Sequence, residues 1–124
     1  MPDKCSTRSP TLAIWTRRIA LATGSAVLAL RQPVDLAKAA ASVDRLSGGR
    51  LVLGLASGDR PVEFPAYGLE HAQRGERFAQ GLDYLRQLLH GCRHVASPLG
   101  TLDDAELLPR PPAGAIPLVV TGSA

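Results

Sequence analysis

The sequence is poor in cysteine, in aromatic residues and in excess charge. Its 124 residues include two cysteines and five aromatic residues, and the formal net charge is +3 at pH 7. Cys5 and Cys92 do not make the dense disulfide framework of a small secreted protein, so a reducing, cytoplasmic environment fits best. A small positive excess without interleaved aromatic residues also argues against a nucleic-acid partner.

No apolar run is long enough to cross a membrane as a helix, which requires about 20 residues. The longest run, Ile19–Leu30, follows the pair Arg17-Arg18 and looks like a twin-arginine export signal. An exported protein is therefore one alternative. Arg31-Gln32-Pro33 stands where a small-residue cleavage site is expected, so we favour a cytoplasmic protein without a membrane partner.

Residue types that carry catalysis or bind metals are present, but without the spacing of a site. The potential ligands of His90-Gly-Cys-Arg-His94 crowd one predicted helix end, and no second ligand pair follows, so we predict no metal. Asp103 and Asp104 are adjacent, which favours a solvated turn. Ser57 lacks the Gly-x-Ser-x-Gly elbow of a hydrolase nucleophile. Residue patterns alone identify no catalytic residue.

Apolar patterning predicts alternating strands and helices after a polar, pattern-free head. Residues 1–16 are predicted to be disordered or unrelated to a domain over 17–124. The predicted elements are a strand over 19–30 with a bulge at Gly24-Ser25, a helix over 33–47, a strand over 50–56, a helix over 70–90, an excursion or hairpin over 95–109, and a strand over 116–121. Right-handed crossovers make the three strands parallel neighbours.

The strand over 50–56 ends in the polar, glycine-bearing run Ser57-Gly58-Asp59. Ligands gather at the carboxyl ends of parallel strands, and a glycine there lets the backbone approach a ligand closely. This pattern predicts a ligand site at Ser57 and Gly58. The alternative is a simple turn after a buried strand, because glycine is a common turn residue.

Three segments resemble the bacterial luciferase-like family of flavin-dependent monooxygenases. They are RLSGGRLVLG (45–54), RGERF (74–78) and the return LLPRP…IPLVVTGS (107–123), and with the first strand the resemblance covers residues 17–124. It implies a (β/α)8 barrel that binds reduced FMN, or in some branches a deazaflavin, at the carboxyl ends of its strands. It further implies oxidation of a small organic substrate with dioxygen.

The resemblance also implies which residues contact the flavin. A non-proline cis peptide behind the flavin ring would fall on the first predicted strand, the break after the second strand would lie beside the phosphate and ribityl chain, and the turn after the last strand would meet the phosphate. The cofactor-binding residues implied in this way are Ser25, Ala26, Val27, Ser57, Gly58, Gly122 and Ser123.

The resemblance accounts for only part of a barrel. A complete barrel has eight strands and about 250 residues, whereas this chain supplies about three, apparently the third to fifth. We therefore expect an α/β partial barrel that is inactive as an isolated chain, with the catalytic residues on the missing strands. A non-enzymatic truncated remnant is the alternative. Open strand edges also predict self-association.

Overall fold

A short parallel sheet lies at the centre of the computed structural model, which describes residues 4–121. The helices and strands follow in the order α1 (Lys4–Trp15), β1 (Leu21–Ala22), β2 (Ala26–Val27), α2 (Pro33–Leu46), β3 (Leu51–Ala56), α3 (Glu63–Ala66), α4 (Arg74–Leu89), β4 (Val95–Ser97), β5 (Gly100–Leu102) and β6 (Leu118–Thr121). Single 3-10 turns occupy Leu28–Leu30 and His71–Gln73. Strand β3 is central because β1, β2 and β6 all pair with it in parallel.

The strand predicted over 19–30 is broken into two short sections. Leu21 lies opposite Leu51, and Ala26 lies opposite Leu55, so the first strand holds one more residue than β3 over this interval. The extra residue is accommodated at the predicted bulge, where the Gly24-Ser25 peptide bond is cis. The prediction extended the strand too far toward its carboxyl end, since Leu28–Leu30 form a 3-10 turn. Residues 19–30 therefore do not form the continuous helix that is typical of an export signal.

The side chain of Thr23 replaces the backbone pairing that is lost at the bulge. Its hydroxyl accepts a hydrogen bond from the Gly54 N–H at 2.8 Å and donates one to the Gly54 carbonyl oxygen at 2.9 Å. A Cβ atom at position 54 would lie 2.1 Å from the Thr23 carbonyl oxygen. Strand β3 therefore requires a glycine here, because the neighbouring backbone occupies the space of a side chain.

One face of the sheet is covered by the two long helices. Leu51, Leu53 and Leu55 of β3 are buried in one apolar cluster with residues of α2 and α4, as the predicted crossover helices require. The edge strand β6 is less covered, since Val119 and Val120 are 50% and 47% exposed. Among the described residues the parallel strands do not close into a complete barrel, in agreement with the predicted partial barrel.

The boundaries of the remaining elements differ only slightly from the prediction. Helix α4 begins at Arg74, after a 3-10 turn, instead of at residue 70. The excursion contains the hairpin β4–β5, whose strands pair antiparallel. Leu46 is 56% exposed because it is the last residue of α2.

Within the head, Lys4–Trp15 form the helix α1. The guanidinium of Arg50 holds the carboxyl end of this helix. Its Nη2 donates to the carbonyl oxygens of Ala13 and Thr16 at 3.0 and 2.8 Å, and its Nη1 donates to the Ile19 carbonyl oxygen at 2.8 Å. The last carbonyls of a helix lack partners within the helix. Here the Arg50 side chain, which is distant in sequence, supplies hydrogen-bond donors to these carbonyl oxygens.

A buried carboxylate lies on the other side of the same turn. Asp44 is 1% exposed, and its Oδ1 accepts a hydrogen bond from the Leu51 N–H at 3.1 Å. Its Oδ2 has no hydrogen-bond partner among the described residues. Burial raises the pKa of Asp44 above its usual value of 3.8, and the hydrogen bond from Leu51 opposes this change only in part.

We expect Arg50→Lys to lower the free energy of unfolding by about 1–3 kcal/mol, because lysine keeps the charge but not the planar fork of donors. Urea denaturation measures this change, and amide hydrogen exchange should show faster exchange in α1. The matched control is Arg86→Lys on the exposed side of α4, which should leave both readouts unchanged. Equal effects of the two substitutions would contradict the role of Arg50.

We expect the stability of Asp44→Asn relative to the unaltered chain to increase with pH. A raised pKa means that the folded state holds its proton more tightly than the unfolded state, so the unaltered chain loses stability as pH rises above about 4. Asparagine keeps an acceptor for Leu51 and removes the titration. Urea denaturation across this pH range measures the difference, and a difference that is constant with pH would contradict it.

Candidate functional site

A cleft of about 390 Å³ opens where β2, β3 and β6 end. This volume lies within the range of small-molecule sites. Parallel strands bring their carboxyl ends to the same edge of the sheet, so short segments distant in sequence meet there. The residues that line the cleft are Ser25, Val27, Ala56, Ser57, Gly58, Asp59 and Thr121.

Four of the predicted site residues meet in this cleft, namely Ser25, Val27, Ser57 and Gly58. Ala26 does not line it. Successive side chains along a strand point to opposite faces, and Ala26 is 4% exposed on the face that packs under the helices. The other two, Gly122 and Ser123, lie outside the described residues.

Both the backbone conformation of Gly58 and its close contacts with neighbouring segments favour a glycine at this position. Its φ is +90°, a conformation that favours glycine, and a Cβ there would lie 2.9 Å from Val27 Cγ1 and 3.3 Å from Phe64 Cζ. Phe64 is fully buried and makes an edge-to-face contact with His71, with ring centroids 5.1 Å apart. The loop after β3 is therefore packed closely against the end of β2.

Two hydroxyl groups meet across the floor of the cleft. Ser25 Oγ and Thr121 Oγ1 are 3.3 Å apart, and the Thr121 hydroxyl also lies 3.2 Å from the Leu55 carbonyl oxygen. Thr121 and Ala56 were missed as site residues, although each is the last residue of its strand. The rule that placed a site after β3 would have found both if it had been extended to the strand ends themselves.

Asp59 supplies the only charged side chain among the described residues that line the cleft. Asp59 is exposed. The neighbouring Arg60 forms an ion pair with Glu63 instead, with 3.0 Å between Arg60 Nη1 and Glu63 Oε1. The described lining therefore offers hydroxyl groups, backbone groups and one negative charge. Such a surface suits an uncharged, hydrogen-bonding part of a ligand and disfavours a phosphate next to Asp59.

Of the histidines and aspartates singled out in the sequence, only His94 and Asp103 contact each other, near the hairpin. His94 Nδ1 lies 3.1 Å from Asp103 Oδ1, and Arg93 Nη2 lies 3.0 Å from Asp104 Oδ1. His90 Nδ1 lies 2.9 Å from the Arg86 carbonyl oxygen instead. No group of three or more histidine, cysteine or acidic side chains within the described range could hold a metal ion.

Between residues 4 and 121, no helix combines the length and the apolar character needed to pass through a bilayer.

The fold recurs in solved structures of much longer chains. Monooxygenase RslO1 from Streptomyces bottropensis is 27% identical, with a TM-score of 0.88, and the match covers 96% of this chain and 36% of that one. The oxygenating constituent of 3,6-diketocamphane monooxygenase from Pseudomonas putida, in complex with FMN, is 19% identical, with a TM-score of 0.82 over 98% and 37% of the two chains. An F420-dependent secondary alcohol dehydrogenase is likewise 19% identical, with a TM-score of 0.81 over 97% and 38%.

Sequence similarity leads to the same group of proteins. 4-Hydroxyprotoasukamycin monooxygenase of Streptomyces nodosus subsp. asukaensis is 36% identical over 116 residues, which are 91% of this chain and 31% of that protein. The chain thus spans about a third of the length of this relative. Residues 9–124 match the family described as luciferase-like monooxygenase, and the chain therefore belongs to the luciferase-like monooxygenase family.

Proposed function

We propose that this chain is part of a flavin-dependent monooxygenase and that the cleft at the ends of β2, β3 and β6 contacts the flavin. The observation that carries the proposal is the meeting of Ser25, Val27, Ser57 and Gly58 in one cleft of suitable size. FMN in one structural neighbour and F420 in another support a flavin or a deazaflavin. A small organic molecule is the proposed substrate.

The described residues fit the uncharged part of a flavin better than its phosphate. Ser25 and Thr121 present hydroxyl groups, and the backbone at Ser57-Gly58 can approach a planar ring or a ribityl chain closely. Asp59 repels a phosphate at this position. We therefore propose that the phosphate lies toward Gly122 and Ser123, which remain predicted contacts.

The cofactor and the chain have separate tasks in this proposal. When bound, reduced flavin would supply the electrons that activate dioxygen, so that one oxygen atom can enter the substrate and the other can leave as water. The chain supplies one wall of the site, orients the flavin through the hydroxyl groups of Ser25 and Thr121, and limits its approach through the packed loop at Gly58. We propose that acid–base residues come from strands outside these 124 residues.

The chain spans 31% of the length of its monooxygenase relative, so we propose that it is inactive as an isolated polypeptide. Among the described strands β6 pairs only with β3, so we propose that its other edge pairs with further strands of a complete barrel and allows self-association in this chain. The small number of cysteines supports a cytoplasmic location. The broken strand over Leu21–Val27 gives no support to an export signal.

A purified polypeptide of these 124 residues should contain no stoichiometric flavin and show no flavin-dependent oxygen consumption above that of free FMN. One wall of a site cannot enclose the ring and exclude water. Visible absorbance after gel filtration and an oxygen electrode measure the two properties. A yellow monomer that retains FMN through gel filtration would contradict this expectation.

Within a polypeptide that completes the barrel, Gly58→Ala should weaken FMN binding about tenfold or more, equivalent to about 1.4 kcal/mol. The added methyl group would collide with Val27 at the cleft wall. Gly68→Ala is the matched control, because Gly68 also has a positive φ of +70° but open space around it. Fluorescence quenching of FMN measures binding. Equal affinities of the two variants would remove Gly58 from the site.

A further inference from the structure

A second cleft, of about 380 Å³, lies between the loops that follow β2 and β3 and the tip of the β4–β5 hairpin. It shares no lining residue with the cleft at the strand ends. Leu30, Arg31 and Gln32 contribute from the first loop, Tyr67 and Leu69 contribute from the second, and Leu99 contributes from the hairpin. Arg77 closes it from the first turns of α4.

The charge in this second cleft is entirely positive among the described residues. Its charged lining residues are Arg31 and Arg77, and no carboxylate lines it. Asp35, the acidic residue of the first turn of α2, lines the adjoining cavity with Arg31 instead. A partly enclosed cationic surface attracts an anion more strongly than an exposed one, because screening by solvent is weaker there.

Arg77 is positioned to bind such an anion. Its Nε donates a hydrogen bond to the Ala29 carbonyl oxygen at 3.0 Å, which fixes the plane of the half-buried guanidinium. Within the described part of the chain, this is the only hydrogen bond of the Arg77 side chain. Both Nη atoms can therefore donate to a ligand, and a planar fork matches a carboxylate or a phosphate.

Polar atoms make up most of the surface of this cleft, and apolar side chains supply the rest. Leu30, Leu69 and Leu99 line it together with Tyr67, whose side chain is exposed. The Gln32 amide donates to the Leu99 carbonyl oxygen at 3.4 Å, which ties the hairpin tip to the loop after β2. An inorganic ion would leave these apolar surfaces unused.

We propose that this second cleft binds an organic anion whose carboxylate or phosphate group pairs with Arg77 and whose apolar, ring-shaped body packs against Leu69, Leu99 and Tyr67. The proposal is independent of the flavin site, because the two clefts are lined by different residues. It assigns Arg77, within the RGERF segment, a ligand-binding role.

Isothermal titration of the polypeptide with benzoate, phenyl phosphate, benzamide and inorganic phosphate tests the proposal. Benzoate or phenyl phosphate should bind with a dissociation constant of about 1 mM or lower, at least tenfold tighter than neutral benzamide. The comparison of benzoate with phenyl phosphate identifies the preferred anionic group. Inorganic phosphate, which lacks the apolar body, should bind more weakly than phenyl phosphate.

Arg77→Gln should weaken binding of the preferred probe about tenfold. Arg86→Gln, at an exposed position further along α4, is the matched control and should bind as the unaltered chain does. If circular dichroism shows that Arg77→Gln is unfolded, Arg77→Lys keeps the charge, loses the fork and should show a smaller decrease.

Several results would overturn the proposal. The first is that neither organic anion binds saturably. The second is that benzamide binds as tightly as benzoate. The third is that the folded Arg77 variants bind the preferred probe with unchanged affinity. Tighter binding of inorganic phosphate than of phenyl phosphate would also contradict it, since the apolar walls would then contribute nothing.

Discussion

Burial of strand β3 determines where the other parallel strands and the two long helices lie. Its leucines at 51, 53 and 55 occupy the apolar cluster with α2 and α4, while its two edges pair with the broken first strand and with β6. A parallel strand needs cover and partners because unpaired backbone groups are costly to bury. Covering one face of β3 with helices and pairing both of its edges brings segments from residues 21 to 121 together in one small unit.

The two ends of β3 have different surroundings. At its amino end, Arg50 and Asp44 use polar side chains to join α1, the α2 turn and the strand. At its carboxyl end, Ser57 and Gly58 leave the sheet and form a cleft with the neighbouring strand ends. Barrel proteins commonly separate stability from ligand binding in this way. Changes at Arg50 should therefore affect folding and leave the cleft intact.

Much of the fold was predictable because apolar periodicity is local. The strand over 50–56, the helix over 33–47 and the bulge at Gly24-Ser25 were all predicted from short segments. Helix α1 was not, because its sequence has no continuous apolar stripe and its end depends on Arg50. A contact between residues so far apart leaves no periodic signal in either segment.

The sequence by itself determined the family and the alternation of strands and helices, and it predicted a site at the end of β3, since motifs and periodicity need no knowledge of distant contacts. Tertiary structure decided which neighbours of a predicted site residue face the cleft. It brought Ala56, Asp59 and Thr121 to the cleft and turned Ala26 away from it, because strand pairing sets which way each side chain points. It also assembled the arginine-lined cleft beside Arg77, whose walls come from three loops and a helix that share no sequence pattern.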